Sequence, residues 1–110
     1  MKNIPVDTSN MEFRLADDVQ PKMKNRETGE MKINRQGVPV YEATVMVRRP
    51  ERRAELMTVS FPSAQLPDLH AGMAVELVDL VGFWWEANGR QGLSFSVTQI
   101  RPVGAEQYAA

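Results

Sequence analysis

Apolar and polar residues alternate along several short stretches of the chain, a pattern typical of half-buried β-strands. The alternation predicts strands over 11–15 and 40–47, and apolar-rich runs predict further strands over 55–61, 74–85 and 93–97, the last continuing to residue 100. Side chains two positions apart share a face of a strand. The face of the second strand predicted to be buried therefore consists of Tyr41, Ala43, Val45 and Val47.

Turn residues separate these strands. Gly29 and Gly37 suit positive φ angles, and the stretch 88–92, Asn-Gly-Arg-Gln-Gly, favours a tight hairpin. Pro50 predicts a loop after the second strand, because proline donates no hydrogen bond to a ladder. Gly82, inside the run 74–85, is expected to mark a bulge or bend.

One short helix is predicted, over residues 63–70. Ser63 suits its N-cap, Pro67 limits it to about one turn, and Gly72 ends it. His70 is then expected at the helix end, beside the negative pole of the dipole, rather than as a ligand.

Three strands, a short helix and two more strands are the element order of an all-β, five-stranded OB-fold-like Greek-key barrel, here with an extended β-hairpin. An SH3-like barrel is the competing architecture. The chain has 110 residues, enough for one domain. We expect this domain to cover residues 1–103 and the tail, 104–110, to fray.

Composition excludes several kinds of site. The chain has no Cys and one His, so a disulfide framework, a thiolate zinc site and a two-His metal site are ruled out, and a His-based triad is disfavoured. No phosphate-cradling loop or nucleophile motif occurs. No apolar run approaches the roughly 18 residues of a membrane span, because Glu76 and Asp79 interrupt the best candidate, and the first ten residues lack an apolar signal segment. We therefore expect a cytoplasmic protein that is not an enzyme and needs no cofactor or metal.

Charge is divided unevenly along the chain. The formal net charge is −1, from 13 Lys and Arg against 14 Asp and Glu. Residues 22–53 contain nine basic and four acidic residues, a net charge of +5, and the remainder carries −6. Such asymmetry suggests a local basic surface for a polyanion. The alternative is a hairpin with a solvated, arginine-rich outer face.

An OB-fold binds its ligands across strands two and three, between the loop after strand one and the loop between strands four and five. Both the basic segment and the hairpin tip near Arg90 fall in these regions. Single-stranded nucleic acids bind to a positive groove with aromatic rings on which bases stack. The predicted phosphate contacts are Lys22, Lys24, Arg26, Lys32, Arg35, Arg48, Arg49, Arg52, Arg53 and Arg90. The predicted stacking residues are Tyr41, Trp84 and Trp85.

Each of these residues also has a structural interpretation. Tyr41 shares a face with apolar neighbours and could belong to the core. Trp84 and Trp85 are adjacent in a strand, so one is expected in the core and the other outside, as a ligand platform or a dimer contact. Arg52 and Arg53 could be solvated at a loop tip.

Four motifs resemble a family of small proteins carried on actinobacterial integrative plasmids, whose members are commonly labelled regulatory proteins. They are IPVDTS at 4–9, RETGE at 26–30, GVPVY at 37–41 and GRQGLSF at 89–95, and the resemblance spans residues 4–101. In architecture the chain is also similar to OB-fold single-stranded DNA-binding proteins of phages and plasmids.

The leading hypothesis is a single-stranded DNA-binding protein, with RNA as a further ligand, that acts in replication or transfer of a mobile element without strong sequence preference. The alternative is a non-enzymatic regulatory or protein-interaction module that acts as a homodimer, and a homodimer is compatible with both hypotheses. A duplex-binding repressor is disfavoured, because no recognition helix is predicted.

Overall fold

The computed structural model describes residues 3–25 and 27–103, and within these ranges it contains strands and loops but no helix. The predicted all-β class is confirmed. The strands are β1 Asn3–Pro5, β2 Glu12–Leu15, β3 Gln20–Pro21, β4 Met23–Asn25, β5 Glu30–Met31, β6 Val40–Arg48, β7 Glu55–Pro62, β8 Ala74–Val78, β9 Val81–Ala87, β10 Arg90–Ser96 and β11 Gln99–Pro102.

One curled sheet forms the body of the protein. Its strand order is β1-β9-β10-β7-β6-β2-β8-β11, with β3 added beside β6, while β4 and β5 form a separate hairpin. Strands β7 and β10 are parallel, and the other pairings described are antiparallel. Strand β11 follows β10 after two residues but pairs with β8, at the far end of the sheet. The sheet is therefore curled into a half-barrel.

The core lies inside this curl. The predicted inner face of β6 is confirmed, since Tyr41, Ala43 and Val45 are buried and Val47 packs against them. Burial of a large aliphatic or aromatic side chain contributes about 1.5–3 kcal/mol. The opposite, outer face of β6 and β7 carries polar residues together with the apolar pair Met46 and Leu56, of which Leu56 is 69% exposed. The side of each strand that is buried follows the alternation in the sequence.

The connector between β7 and β8 contains no helix, and the predicted helix over 63–70 is wrong. Pro67 lacks the N–H that would continue a helical turn. Leu69 is instead drawn into the core, where it is buried. The N–H of Gly72 donates to the carbonyl of Leu15 at 2.8 Å, which ties the connector to β2, and within the connector the N–H of Met73 donates to the carbonyl of His70 at 3.2 Å.

His70 consequently does not lie at a helix end. Its side chain is exposed, and its Nε2 lies 2.8 Å from Oδ1 of Asp68 in the same connector. The expected interaction with a helix dipole is absent here because the connector contains no helix.

The long strand expected over 74–85 is interrupted at Asp79, not at Gly82. Asp79 has a φ of +55°, and the side chain of Leu80 is buried in the core. Gly82 lies within β9, where a Cβ would be 3.5 Å from Leu93 and Phe95. The break thus coincides with burial of Leu80, and the contacts of a Cβ at Gly82 would be ordinary ones.

The predicted frayed tail, 104–110, lies outside the described residues. The last described residue, Val103, donates its N–H to the carbonyl of Ala74 at 2.9 Å. Within the described ranges no helix is long and apolar enough to cross a membrane.

Candidate nucleic-acid interface

The described basic residues of the segment 22–53 lie in two groups at opposite ends of β6. One group precedes its first residue, Val40, and the other begins at its last residue, Arg48. Because a strand rises by about 3.3 Å per residue, the two ends of β6 lie about 26 Å apart. The +5 segment of the sequence is therefore two basic clusters rather than one patch.

The first group, which we call the lysine cluster, consists of Lys22, Lys24 and Lys32 around the β4–β5 hairpin. All three line one open cavity of about 410 Å³, together with Glu30 and three apolar side chains. The Nζ of Lys24 lies 3.8 Å from Oε2 of Glu30, and both side chains are exposed. Arg35 is exposed in the turn that follows. Arg26 lies outside the described residues.

Lys22 connects the lysine cluster to the curled sheet. Its N–H donates to the carbonyl of Val40 at 2.9 Å, and its Nζ donates to Oγ of Ser60 on β7 at 3.0 Å. Partial burial lowers the pKa of Lys22, the nearby charge of Lys32 lowers it further, and Glu42 opposes the shift. The Lys22 ammonium is thus held on the outer face of the sheet with only partial charge compensation.

The second group comprises the last residue of β6 and the loop that follows it, residues 48–53, which we call the arginine loop. It contains Arg48, Arg49, Arg52 and Arg53, and all four are exposed. The N–H of Arg52 donates to the carbonyl of Arg49 at 3.2 Å, and Glu51 adopts a φ of +60°. This tight turn places four guanidinium groups within six residues.

The β9–β10 hairpin forms an arm at the same end of the sheet as the arginine loop. Because β10 runs parallel to β7, with Phe95 opposite Val59, the first residue of β10, Arg90, is level with the start of β7. The arm therefore brings Arg90 and the two tryptophans towards the arginine loop, and away from the lysine cluster.

Trp84 and Trp85 lie on opposite faces of the arm, as adjacent strand residues must. Trp84 is 44% exposed, and Trp85 is partly exposed. The expectation that one of them belongs to the core is wrong, because the arm has solvent on both faces. Phe83, 39% exposed, has the same parity as Trp85 and shares its face.

The Trp85 indole lies against Gly92 on the paired strand. A Cβ built on Gly92 would be 2.8 Å from Cζ2 and 2.9 Å from Cε2 of Trp85, closer than side chains approach. The missing side chain of Gly92 therefore provides the space for the ring. One side of the indole is supported by the strand, which fixes its orientation.

The outer face of the sheet continues from the lysine cluster to the arm. On this face Ser60 is opposite Ser96 of β10, and on β10 Ser94 is opposite Phe83 of β9. Next to Ser60, the hydroxyl of Thr58 lies 3.2 Å from that of Thr44. One surface therefore carries, in order, the lysine cluster, a hydroxyl band and two aromatic rings. The hydroxyl band consists of Thr44, Thr58, Ser60, Ser94 and Ser96, and the rings are those of Phe83 and Trp85.

Sequence reasoning missed the hydroxyl band and Phe83. No motif in the sequence marks Thr58, Ser60 or Ser94, and only strand pairing brings them together. Phe83 was detectable, because it lies two residues before Trp85 in the same predicted strand.

Tyr41 is a core residue. It is 7% exposed, and its ring centroid lies 6.2 Å from that of Phe61 at an interplanar angle of 34°. The structural interpretation of Tyr41 is therefore confirmed, and its ring has no face open to a base.

Residues 3–25 and 27–103 contain no group of three or more His, Asp or Glu side chains arranged to hold a metal ion. A scan against protein-family models finds no match to this chain, and a search of curated proteins finds no similar sequence. A functional proposal therefore rests on the geometry of the outer face.

Proposed function

We propose that the half-barrel is of the OB-fold type, with the connector 63–73 in place of the usual helix. Three pairings support this assignment: β2 lies between β6 and β8, β6 and β7 form a hairpin, and β7 is parallel to β10. In an OB-fold the outer face of the second and third strands binds the ligand. Those strands correspond to β6 and β7.

On this basis we propose that the protein binds single-stranded DNA across the outer face of β6, β7 and the arm. The observation that carries the proposal is the 3.0 Å hydrogen bond from Lys22 to Ser60. This contact joins the lysine cluster to a surface that leads to Phe83 and Trp85. Lysines at one end would hold phosphates, and the rings at the other end would stack on bases.

The magnitudes fit a weak-to-moderate, salt-sensitive interaction. Stacking of a base on an aromatic ring contributes about 1–3 kcal/mol, and OB-folds cover about 4–16 nucleotides. A path of about 26 Å along β6 suits the lower end of that range. Each neutralised phosphate adds to the loss of affinity with rising salt.

Strong sequence preference is not expected from this surface. Hydroxyls and lysines contact sugar and phosphate groups, whereas base recognition needs fixed donors and acceptors aimed at base edges. We therefore propose a non-enzymatic, cytoplasmic role in the replication or transfer of a mobile element, in line with the family resemblance.

Titration with a fluorescein-labelled oligo(dT) 20-mer tests this proposal. We expect saturable binding at low salt in the wild type, and weaker binding with a shallower salt dependence in Lys22→Met/Lys32→Met, since two phosphate contacts are lost. Arg101→Gln, which removes a charge paired with Glu76 on β11 and β8, is the matched control. Absence of binding by the wild type, or an unchanged salt slope in the double variant, would contradict the proposal. Oligo(U) of the same length compares RNA with DNA.

A homodimer is a second proposal, and it rests on the other face of the arm. Ile4, opposite Gly82, and Trp84 share that face and are 52% and 44% exposed. Light scattering should give the mass of two chains for the wild type and of one chain for Trp84→Ser. A monomeric wild type at all concentrations would refute the dimer.

A further inference from the structure

Strands β7 and β10 separate from each other towards their first residues. They pair only through Phe95 with Val59 and Ser96 with Ser60. Four residues of β7 and five of β10 precede these pairs, and across the described residues they form no ladder with one another. A gap thus opens between two parallel strands of the same sheet.

The hydrogen-bonding groups of both strands point into this gap. The N–H of Val97 donates to the carbonyl of Ser60 at 3.0 Å, so the main chain of Ser60 faces β10. Main-chain direction alternates along a strand. The main-chain N–H and C=O groups that point into the gap are therefore those of Leu56 on β7 and of Gln91 and Leu93 on β10.

The floor of the gap is apolar, and its rim is basic. A cavity of about 470 Å³ lies there, with Met57 and Thr58 on one side and Leu93 and Phe95 on the other. Leu93 is 47% exposed, so part of this floor is open to solvent. Arg49 and Arg53 line the same cavity, opposed by one acidic residue, Glu55.

We propose that this gap binds an extended peptide of alternating apolar and acidic residues, which adds a strand between β7 and β10. An exposed strand edge is a ready template for such addition, in which main-chain hydrogen bonds give affinity and pockets select alternate side chains. Apolar side chains of the peptide fill the cavity, and its carboxylates face Arg49 and Arg53.

The floor favours a peptide over a nucleic-acid base. The only side-chain hydroxyl in the cavity lining is that of Thr58, and it already lies 3.2 Å from the hydroxyl of Thr44. The remaining donors and acceptors at the floor are the main-chain groups of β7 and β10, whose regular spacing along a strand matches the backbone of an extended peptide rather than the edge of a base. Most of this floor lies on the opposite side of β10 from the proposed DNA path, because Leu93 and Phe95 point away from Ser94 and Ser96, and Thr58 borders both surfaces.

The test uses a fluorescein-labelled, acetylated and amidated heptapeptide, Glu-Leu-Glu-Val-Glu-Leu-Glu, measured by anisotropy against the full chain. Leu56→Pro removes one N–H that faces the gap and leaves the β6–β7 ladder intact. We expect it to weaken peptide binding about tenfold, the effect of roughly one hydrogen bond. Leu56→Ala, which keeps the N–H, is the matched control and should bind within about twofold of the wild type.

A second variant tests the proposal independently in case Leu56→Pro does not fold. Arg49→Glu/Arg53→Glu should lose binding of the acidic heptapeptide and gain binding of its counterpart with Lys in place of Glu, since the rim charge is reversed. Circular dichroism confirms the fold of each variant. No binding of the acidic peptide at about 1 mM, equal affinity of both peptides for the wild type, or equal affinity of Leu56→Pro and Leu56→Ala would overturn the proposal.

The oligo(dT) titration separates this inference from the proposed function. Leu56→Pro and Leu56→Ala both lose the exposed side chain that Leu56 presents on the outer face of β7, so the two variants should bind oligo(dT) equally and differ only in peptide binding. Displacement of the bound heptapeptide by oligo(dT) would show that the gap binds nucleic acid. Weaker peptide binding at protein concentrations at which the chain self-associates would show that a second copy fills the gap. Either result would refute the peptide assignment and leave DNA binding to be judged separately.

Discussion

Gly92→Ala is a small change that should displace Trp85 without removing it. The new methyl carbon would lie 2.8 Å from Cζ2 of the indole, whereas ordinary contacts are 3.4–4 Å. The ring must therefore retreat by about 0.6 Å or more to restore a normal contact. Gly92 has no positive φ, and its backbone accepts alanine without strain. If Trp85 stacks on a base, we expect the loss of most of that stacking, about 1–3 kcal/mol, or about 5- to 150-fold in affinity for oligo(dT).

Gly82→Ala is the matched control for this experiment. Its methyl carbon would meet Leu93 and Phe95 at 3.5 Å, an ordinary contact on the opposite face of the arm. Both variants are measured by oligo(dT) anisotropy, with tryptophan emission reporting the movement of the ring. A Gly92→Ala protein that shows altered tryptophan emission but wild-type affinity would refute the stacking role of Trp85.

Three further predictions concern stability, charge and the core. Leu69→Ala should reduce the free energy of unfolding by about 2–5 kcal/mol in urea titrations. Leu66→Ala, at a position 67% exposed in the same connector, should change it little, and equal losses would show that Leu69 is not a core residue. Because its pKa is lowered, Lys22 loses its proton at a lower pH than an ordinary lysine, so oligo(dT) affinity should fall as the pH rises into the alkaline range, and less steeply in Lys22→Arg. Identical pH profiles for the wild type and Lys22→Arg would contradict a phosphate contact by Lys22. Tyr41→Phe should bind oligo(dT) as the wild type does, and a large loss would mean that the buried ring reaches the ligand.

The sequence predicts those parts of the fold that depend on a pattern among neighbouring residues. The inner face of β6 follows from alternation alone, because successive side chains point to opposite sides of a strand. The turn glycines were also detectable, since Gly29 and Gly37 have φ angles of +74° and +79°. Residues other than glycine rarely adopt such angles.

The rest depends on contacts between distant segments. The connector 63–73 has helical signals in its sequence, yet burial of Leu69 and the hydrogen bond from Gly72 to Leu15 override them. The break at Asp79 coincides with burial of Leu80, which periodicity cannot distinguish from its neighbours.

In the candidate site, the basic residues are the clearest example of a feature that depends on contacts between distant segments. The basic residues between Lys22 and Arg53 belong to one segment of the sequence, but residues 36–47 contain no Lys or Arg and include most of β6, whose two ends lie about 26 Å apart. The arm, distant in sequence, lies at the same end of the sheet as the arginine loop, and Leu93 and Phe95 line one cavity with Arg49 and Arg53. The sequence therefore predicts which residue types contact phosphate, and strand pairing decides which of them act together.

A comparison of Trp85→Ala with Trp84→Ala in oligo(dT) titrations at low salt decides whether the outer face binds DNA. The two substitutions are chemically identical and adjacent, and they differ in the face of β9 that they alter. We expect a loss of about 5- to 150-fold for Trp85→Ala and an affinity within about twofold of the wild type for Trp84→Ala. A loss confined to Trp84→Ala, or equal effects of both substitutions, would contradict the assignment of the outer face as the DNA-binding surface.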